Sequence, residues 1–400
     1  MTANPFLATT ADDRVAAYAA MSAAGPVIKI PAPGTGEAWF VAGYAEARAV
    51  LNDARLVKVG PPPINEVRAE RLGRASSITS HMLVKDGPEH ERLRRLVMAA
   101  FTRRRIEGLE PAMQATADAL LDDLVDASKD GSAVDLMAGF AFPFPMTVIC
   151  ELMGVPAGLR EDIRVGMETT FRGIAMTNEE WLPKFNLLDD SLKELVATKR
   201  RDPGDDLISA LIAVRDGGDK LSEDELTSMA FLLIAAGHET TVNLIGNGVE
   251  ALLSHREQWD LLCAEPERIP AAVEEMLRWS GPVQVTFPLV AVAPIDIGGV
   301  TISPGELVLV GVLAANRDAA QTDDPDVFDV AREPKQHLAF GHGIHHCLGV
   351  FMARLEARIA FETLTRRFPD LQLAVPRNEL TWAPSFLFHG LAGLPVHLTP

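Results

Sequence analysis

The chain has 400 residues, 48% of them hydrophobic, and a formal net charge of −18. That length and apolar content build a large buried core, and the acidic balance speaks against a nucleic-acid partner. Three cysteines without paired spacing fit a reducing cytoplasm, and no stretch has the unbroken apolar run of a signal peptide or membrane anchor.

In chain order, apolar runs at residues 27–30 and 38–41 predict strands, and a helix follows at Tyr44–Leu51. Pro61, Pro62 and Pro63 open an irregular stretch that reaches about residue 85. From residue 89 to about 255 the apolar period is helical, with breaks near Gly131, Gly154, Pro203 and Gly217. Within it Arg92, Arg94, Arg95, Arg103, Arg104 and Arg105 oppose the global charge, with Glu91 alone against them between residues 90 and 105. Residues 283–312 read as short strands punctuated by Pro288, Pro294, Gly298, Gly299, Pro304 and Gly305. A helix is expected from about residue 348 to 368, then a strand-and-turn region to about 398. No repeat or Gly/Ser/Pro-rich linker divides the chain, so one domain spanning 1–400, mainly α with a minor β region, is predicted.

Four constellations carry chemistry. Ser222 and Glu225 form a capping box at the head of a helix running to about Ser254. At 1.5 Å per residue that helix spans about 45 Å. Its apolar middle leads into Gly237, His238, Glu239, Thr240 and Thr241. A carboxylate and hydroxyls are costly in a dry interior unless satisfied. Thr240 can bond the Ala236 carbonyl one turn back, loosening the helix and leaving room for a small ligand and a water. Glu275 and Arg278, three apart, share a helix face, as do His90 and Arg94, four apart.

The fourth is the segment of residues 340–349, Phe-Gly-His-Gly-Ile-His-His-Cys-Leu-Gly. Cys347 precedes a helix, whose dipole favours a thiolate there, and Gly341 and Gly343 permit close backbone approach to a flat ligand. A lone GxG without a βαβ unit does not make a nucleotide loop. His342, His345, His346 and Cys347 lack a second ligand pair at zinc spacing, since Cys150 and Cys263 stand alone far upstream. A thiolate on such a loop is one of the few protein ligands for haem iron, and a buried structural cysteine is the ordinary alternative.

Phe340, Gly341, Gly343, His345, Cys347 and Gly349 resemble the cysteine-ligand loop of the cytochrome P450 family. The 236–241 segment is similar to that family's oxygen-activation segment, Glu275-x-x-Arg278 to its Glu-x-x-Arg element, and Arg332 to the third charge of that network. His90 and Arg94 resemble the pair that binds the haem propionates. The resemblance covers essentially the whole chain and implies a P450-like fold with the long helix crossing haem b. It implies Cys347 as axial ligand, His345 as a further propionate donor, and Phe340, Gly341 and Gly349 shaping the ligand loop. Thr240 would hydrogen-bond the oxygen substrate, and Glu239 would relay protons. The family carries an arginine before the Val-Ala pair of the following strand; here Leu289 occupies that place, and His337 is a candidate substitute donor.

The implied reaction inserts one oxygen atom from O2 into a hydrophobic small molecule. Ile234, Ala235, Val285, Thr286, Phe287, Leu289, Phe386 and Leu387 are candidate pocket residues, with residues 61–85 and 171–188 as a lid. Electrons would come from NAD(P)H through a ferredoxin reductase and a ferredoxin, because no flavin or iron–sulfur segment is present. The ferredoxin is expected on the arginine cluster, with Arg354 and Arg358 contributing. The protein is expected to be a cytoplasmic monomer. A haem-thiolate isomerase or dehydratase, or a peroxide-dependent peroxygenase, is the alternative, and Glu239 with Thr240 speaks against both.

Overall fold

A computed structural model describes residues 11–32, 36–58, 76–129, 131–172, 176–214 and 219–398. The helix Glu223–Ser254 organises it. The Ser222 hydroxyl accepts the Glu225 N–H while Glu225 Oε2 accepts the Ser222 N–H at 2.8 Å, the reciprocal box expected from the sequence. By length and composition this helix could cross a membrane, but it is the core helix: 78% of its most apolar window is buried in the protein. Pro143–Met153, Ile269–Ser280 and Val350–Arg367 pack directly on it. Its apolar residues therefore face other helices on nearly every side, which an amphipathic surface helix cannot do.

Ten short strands are described: β1 (Val27–Ala32), β2 (Gly36–Val41), β3 (Leu56–Lys58), β4 (Val134–Asp135), β5 (Leu289–Ala291), β6 (Ile295–Ile297), β7 (Val300–Ile302), β8 (Leu307–Val310), β9 (Gln372–Leu373) and β10 (Pro395–His397). The main sheet runs β1-β2-β8-β5-β3, with only β2 and β8 parallel. In β3 and β5, Leu56 pairs with Ala291 and Lys58 with Leu289. Val41, Leu56, Leu289, Ala291, Val308 and Val310 close a second apolar core against the helix Tyr44–Leu51.

Two elements escape the sequence reading. Residues Met137–Ala141 wind as a π-helix, and Val134–Asp135 adds a strand to the C-terminal β10. Of the lid assigned to residues 61–85, the part up to residue 75 lies outside the described residues. Beyond it the chain forms the short helix Ser76–Thr79 and a 3₁₀ turn at Met82–Val84.

Candidate active site

The central helix is buried from Leu226 to Leu252 except at Ala236, Gly237 and Thr240. Positions i, i+1 and i+4 share one face, so the helix presents a single bare patch in the middle of the protein. Thr240 Oγ1 donates to the Ala236 carbonyl at 2.6 Å and Thr241 Oγ1 to the Gly237 carbonyl at 3.1 Å. The Thr240 partner is as expected, but the helix continues unbroken through it. Glu239 projects from another side and is 4% exposed. Its Oε1 accepts from Asn243 Nδ2 at 3.2 Å. Beside it lies a cavity of about 240 Å³ lined by Phe171, Glu239, Asn243, Pro384, Ser385 and Phe388. That volume holds several waters next to the carboxylate.

The cysteine loop is tied across its base by Cys347 N–H donating to the Phe340 carbonyl at 2.9 Å. Gly341 and Gly343 have φ of +71° and +70°, which favours glycine. At Gly343 a β-carbon would also run into the Leu51 carbonyl oxygen. Packing against Tyr44–Leu51 alone therefore calls for glycine at 343. Protein surrounds the thiol, yet Cys347 is exposed. Burial pushes the thiol pKa up, against the Gly349 N–H and Arg94, so the depressed value expected from the helix dipole is corrected. Ionisation would come from coordination itself, which deprotonates a ligating thiol.

A donor cluster flanks this loop. His90 is 1% exposed and neither ring nitrogen has a hydrogen-bond partner. Its ring centroid lies 4.2 Å from that of His345, whose Nε2 is 3.0 Å from Asp86 Oδ1. Arg94 Nη2 donates to the His346 carbonyl at 2.7 Å. Burial lowers the pKa of both histidines, that of His345 to about 4, so both rings are neutral at pH 7. His337 is corrected as a substitute donor: Nε2 meets Glu274 Oε2 at 3.2 Å, and Nδ1 accepts the Ala339 N–H at 3.3 Å.

Behind the loop, Arg278 donates Nε to Glu275 Oε2 at 2.7 Å and Nη2 to Oε1 at 2.8 Å, with Arg332 Nε 3.4 Å away. The three-charge network is formed. A carboxyl that sequence reasoning missed joins the central helix: Glu356, 1% exposed, has Oε2 3.4 Å from Thr241 Oγ1. Burial raises its pKa well above the usual carboxylate range, against the Thr241 hydroxyl. Glu356 falls on the apolar stripe between Met352 and Ala360, and that misplaced carboxyl was the available signal.

Of the pocket candidates, Ile234 and Val285 have no accessible surface, and Ala235 and Leu289 are buried as well. Thr286 Oγ1 accepts the Val310 N–H at 3.2 Å, while Phe287, Phe386 and Leu387 are half-buried. On the central helix the bare residues are thus Ala236, Gly237 and Thr240, starting at the residue after the expected pair, because Ile234 and Ala235 are buried in helix packing.

The arginine cluster divides in two. Arg92 turns inward to Asp219 and Glu225 at the head of the central helix, while Arg103 lies over the Phe351 ring of the cysteine helix, 4.6 Å from its centroid. Arg354 is held by Glu274, and Arg358 by Glu110 and Glu362. The exposed arginines of this region are Arg95, Arg103, Arg104 and Arg354, with Arg103 paired to Glu107 and Arg354 to Glu274.

Residues 25–202 and 267–381 match the family model described as Cytochrome P450. The chain belongs to the cytochrome P450 family. It is 45% identical over 393 residues to Cytochrome P450 107B1 of Saccharopolyspora erythraea, covering 96% of this chain and 95% of that protein. It is 40% identical over 380 residues to the Mycinamicin IV hydroxylase/epoxidase of Micromonospora griseorubida, covering 95% and 94%. The structure of the tirandamycin C-bound P450 monooxygenase TamI superposes with a TM-score of 0.84 at 38% identity, covering 96% of each chain. The chain is thus a P450 monooxygenase whose cofactor is haem b, reduced by NAD(P)H through separate redox partners.

The residues present fit haem. An accessible thiol sits on a positive-φ glycine loop, two buried ring nitrogens of His90 await partners, and a central helix bares one small-residue patch. Iron takes a thiolate, carboxylates take imidazole and guanidinium donors, and a flat ring takes a face without large side chains.

Proposed function

We propose that Cys347 holds the haem iron, that His90, Arg94 and His345 face the propionates, and that Phe340, Gly341 and Gly349 shape the ligand loop. Glu239 and Thr240 manage the protons that oxygen cleavage consumes. The observation that carries this reading is the bare patch of Ala236, Gly237 and Thr240 on a helix otherwise buried along its middle. When bound, haem supplies the oxidising chemistry, and its thiolate ligand pushes electron density toward oxygen.

The protein's own contribution is positioning and proton control. Thr240 spends its hydrogen on the Ala236 carbonyl at rest, and rotation of the hydroxyl presents that hydrogen to oxygen on the bare face. Glu239, one residue back, meets water in the 240 Å³ cavity and passes protons inward through the Thr240 turn. Glu275, Arg278 and Arg332 act structurally, holding the segment before the loop in place.

The substrate is a hydrophobic small molecule of natural-product type, hydroxylated or epoxidised, in keeping with the mycinamicin and tirandamycin relatives. Thr286, Phe287, Phe386 and Leu387 stand as its wall. The chain works as one catalytic domain, monomeric and cytoplasmic, and takes electrons from a ferredoxin docked at Arg95, Arg103 and Arg104. The test is the absorption spectrum of the reduced, carbon-monoxide-bound protein, wild type and Cys347→Ser, followed by turnover of a macrolide panel with ferredoxin, reductase and NAD(P)H. A strongly red-shifted Soret band, lost in Cys347→Ser, is expected. An imidazole-type wild-type spectrum would refute the ligand assignment.

A further inference from the structure

Leu289 cannot neutralise a carboxylate, and its place in the sheet shows what can. In the antiparallel pair β3–β5 it lies directly opposite Lys58. Opposed residues put their side chains on the same face, with Cα atoms roughly 4.5–5.5 Å apart. A lysine head at 58 therefore reaches the region served by a long cation at 289. Leu56 and Ala291, the neighbouring pair on that face, are buried, so the stem of Lys58 runs along apolar surface.

The Lys58 ammonium is poorly solvated: burial drives its pKa down, with Asp86 pulling the other way. No carboxylate among the described residues reaches it in an ion pair. Asp86 is already committed, one oxygen to the Lys58 backbone N–H and the other to His345 Nε2. Asp86 thus ties the Lys58 backbone to the His345 ring, which places Lys58 beside the same cluster. Two cations, Lys58 and Arg94, stand here with one carboxylate and the rings of His90 and His345. An anion brought beside a desolvated cation with that balance favours its charged form.

We propose that Lys58 anchors a haem propionate in this chain, compensating across the sheet for the leucine at position 289. The inference rests on the haem site described above. In Lys58→Leu the propionate loses a charge-assisted bond while the strand keeps a residue suited to it. Such a bond corresponds to a change of about tenfold or more in an equilibrium.

Haem transfer from purified holoenzyme to excess apomyoglobin measures retention, and a redox titration of the same samples reads the local charge. Lys58→Leu is expected to lose haem about tenfold faster and to shift the ferric/ferrous potential to more negative values. Lys58→Arg is expected to stay near wild type. The swap Lys58→Leu/Leu289→Arg restores both readouts by returning the cation from the opposite strand, which a merely structural role for Lys58 does not allow. Wild-type retention and potential in Lys58→Leu, with His90→Gln losing haem quickly, would overturn the role of Lys58 and leave the haem site standing. If His90→Gln also retains haem like wild type, the site assignment itself fails along with the proposal.

Discussion

Replacing Glu275 by alanine tests the network behind the cysteine loop. Glu275 is 4% exposed and Arg278 2%. The carboxylate accepts from Arg278 at 2.7 and 2.8 Å and from the Asp329 N–H at 3.1 Å. Removing one partner of a buried ion pair costs about 3–5 kcal/mol. Arg278 keeps the carbonyls of Pro325 at 2.7 Å, Val327 at 3.2 Å and Asn316 at 3.3 Å, which soften the loss toward about 3 kcal/mol. The orphaned Asp329 N–H adds about 1 kcal/mol. The sum, about 4 kcal/mol, is roughly a thousandfold in the folded-to-unfolded ratio. Urea unfolding followed in parallel by far-UV circular dichroism and the Soret band measures it. Glu275→Gln keeps one acceptor oxygen and is expected to lose about half as much. Glu275→Leu/Arg278→Met removes both charges and should recover part of the deficit. A loss below about 1 kcal/mol in Glu275→Ala, or a double variant worse than the single, would refute the reasoning.

Thr240→Ala should divert reducing equivalents to peroxide, seen as peroxide rising and product falling per NAD(P)H oxidised. Glu239→Gln should slow turnover by roughly 10²-fold while substrate binding, read by spin shift, stays unchanged. Gly343→Ala meets both a positive φ and the Leu51 carbonyl, so a stability loss of at least about 1–2 kcal/mol and weakened haem loading are expected in denaturation and Soret titrations. Although burial acts to raise it, His337 and Arg354 hold Glu274 down to about 2. Its stabilising contribution is therefore present above the ordinary carboxylate pKa and is lost as pH falls toward 2. The stability gap between wild type and Glu274→Gln should hold from pH 7 to 5 and narrow below about pH 4.5. Arg103→Glu/Arg104→Glu should slow ferredoxin-driven reduction most at low salt. Arg92→Glu should instead act on stability, because its partners are Asp219 and Glu225.

What was legible in the sequence was whatever repeats at a period or stands at a short spacing. The capping box of Ser222 and Glu225 and the pair Glu275–Arg278 are local patterns, and the structure holds both as expected. The direction of a side chain was less legible. Ile234 and Ala235 satisfy the apolar criterion for a pocket as well as for a core, and only the packing of neighbouring helices turns the bare patch to Ala236, Gly237 and Thr240. The Cys347 pKa was misjudged because a helix dipole is visible in sequence while the desolvation imposed by distant segments is not.

Lys58 illustrates the deeper limit. It stands alone before a proline-rich stretch, with no periodicity and no charged partner nearby in sequence. Its meaning comes from a partner far down the chain, fixed by the register of two three-residue strands. A one-residue slip would turn it to the other face and leave Leu289 opposite an apolar valine. Leu289 was visible as a departure from the family pattern, and His337, shortly before the cysteine loop, was the substitute the sequence suggested. In three dimensions that histidine is already bound to Glu274, and the cation without an ion pair among the described residues lies across the sheet. Electrostatic compensation follows spatial adjacency, so a missing cation in this fold is sought first on the facing strand.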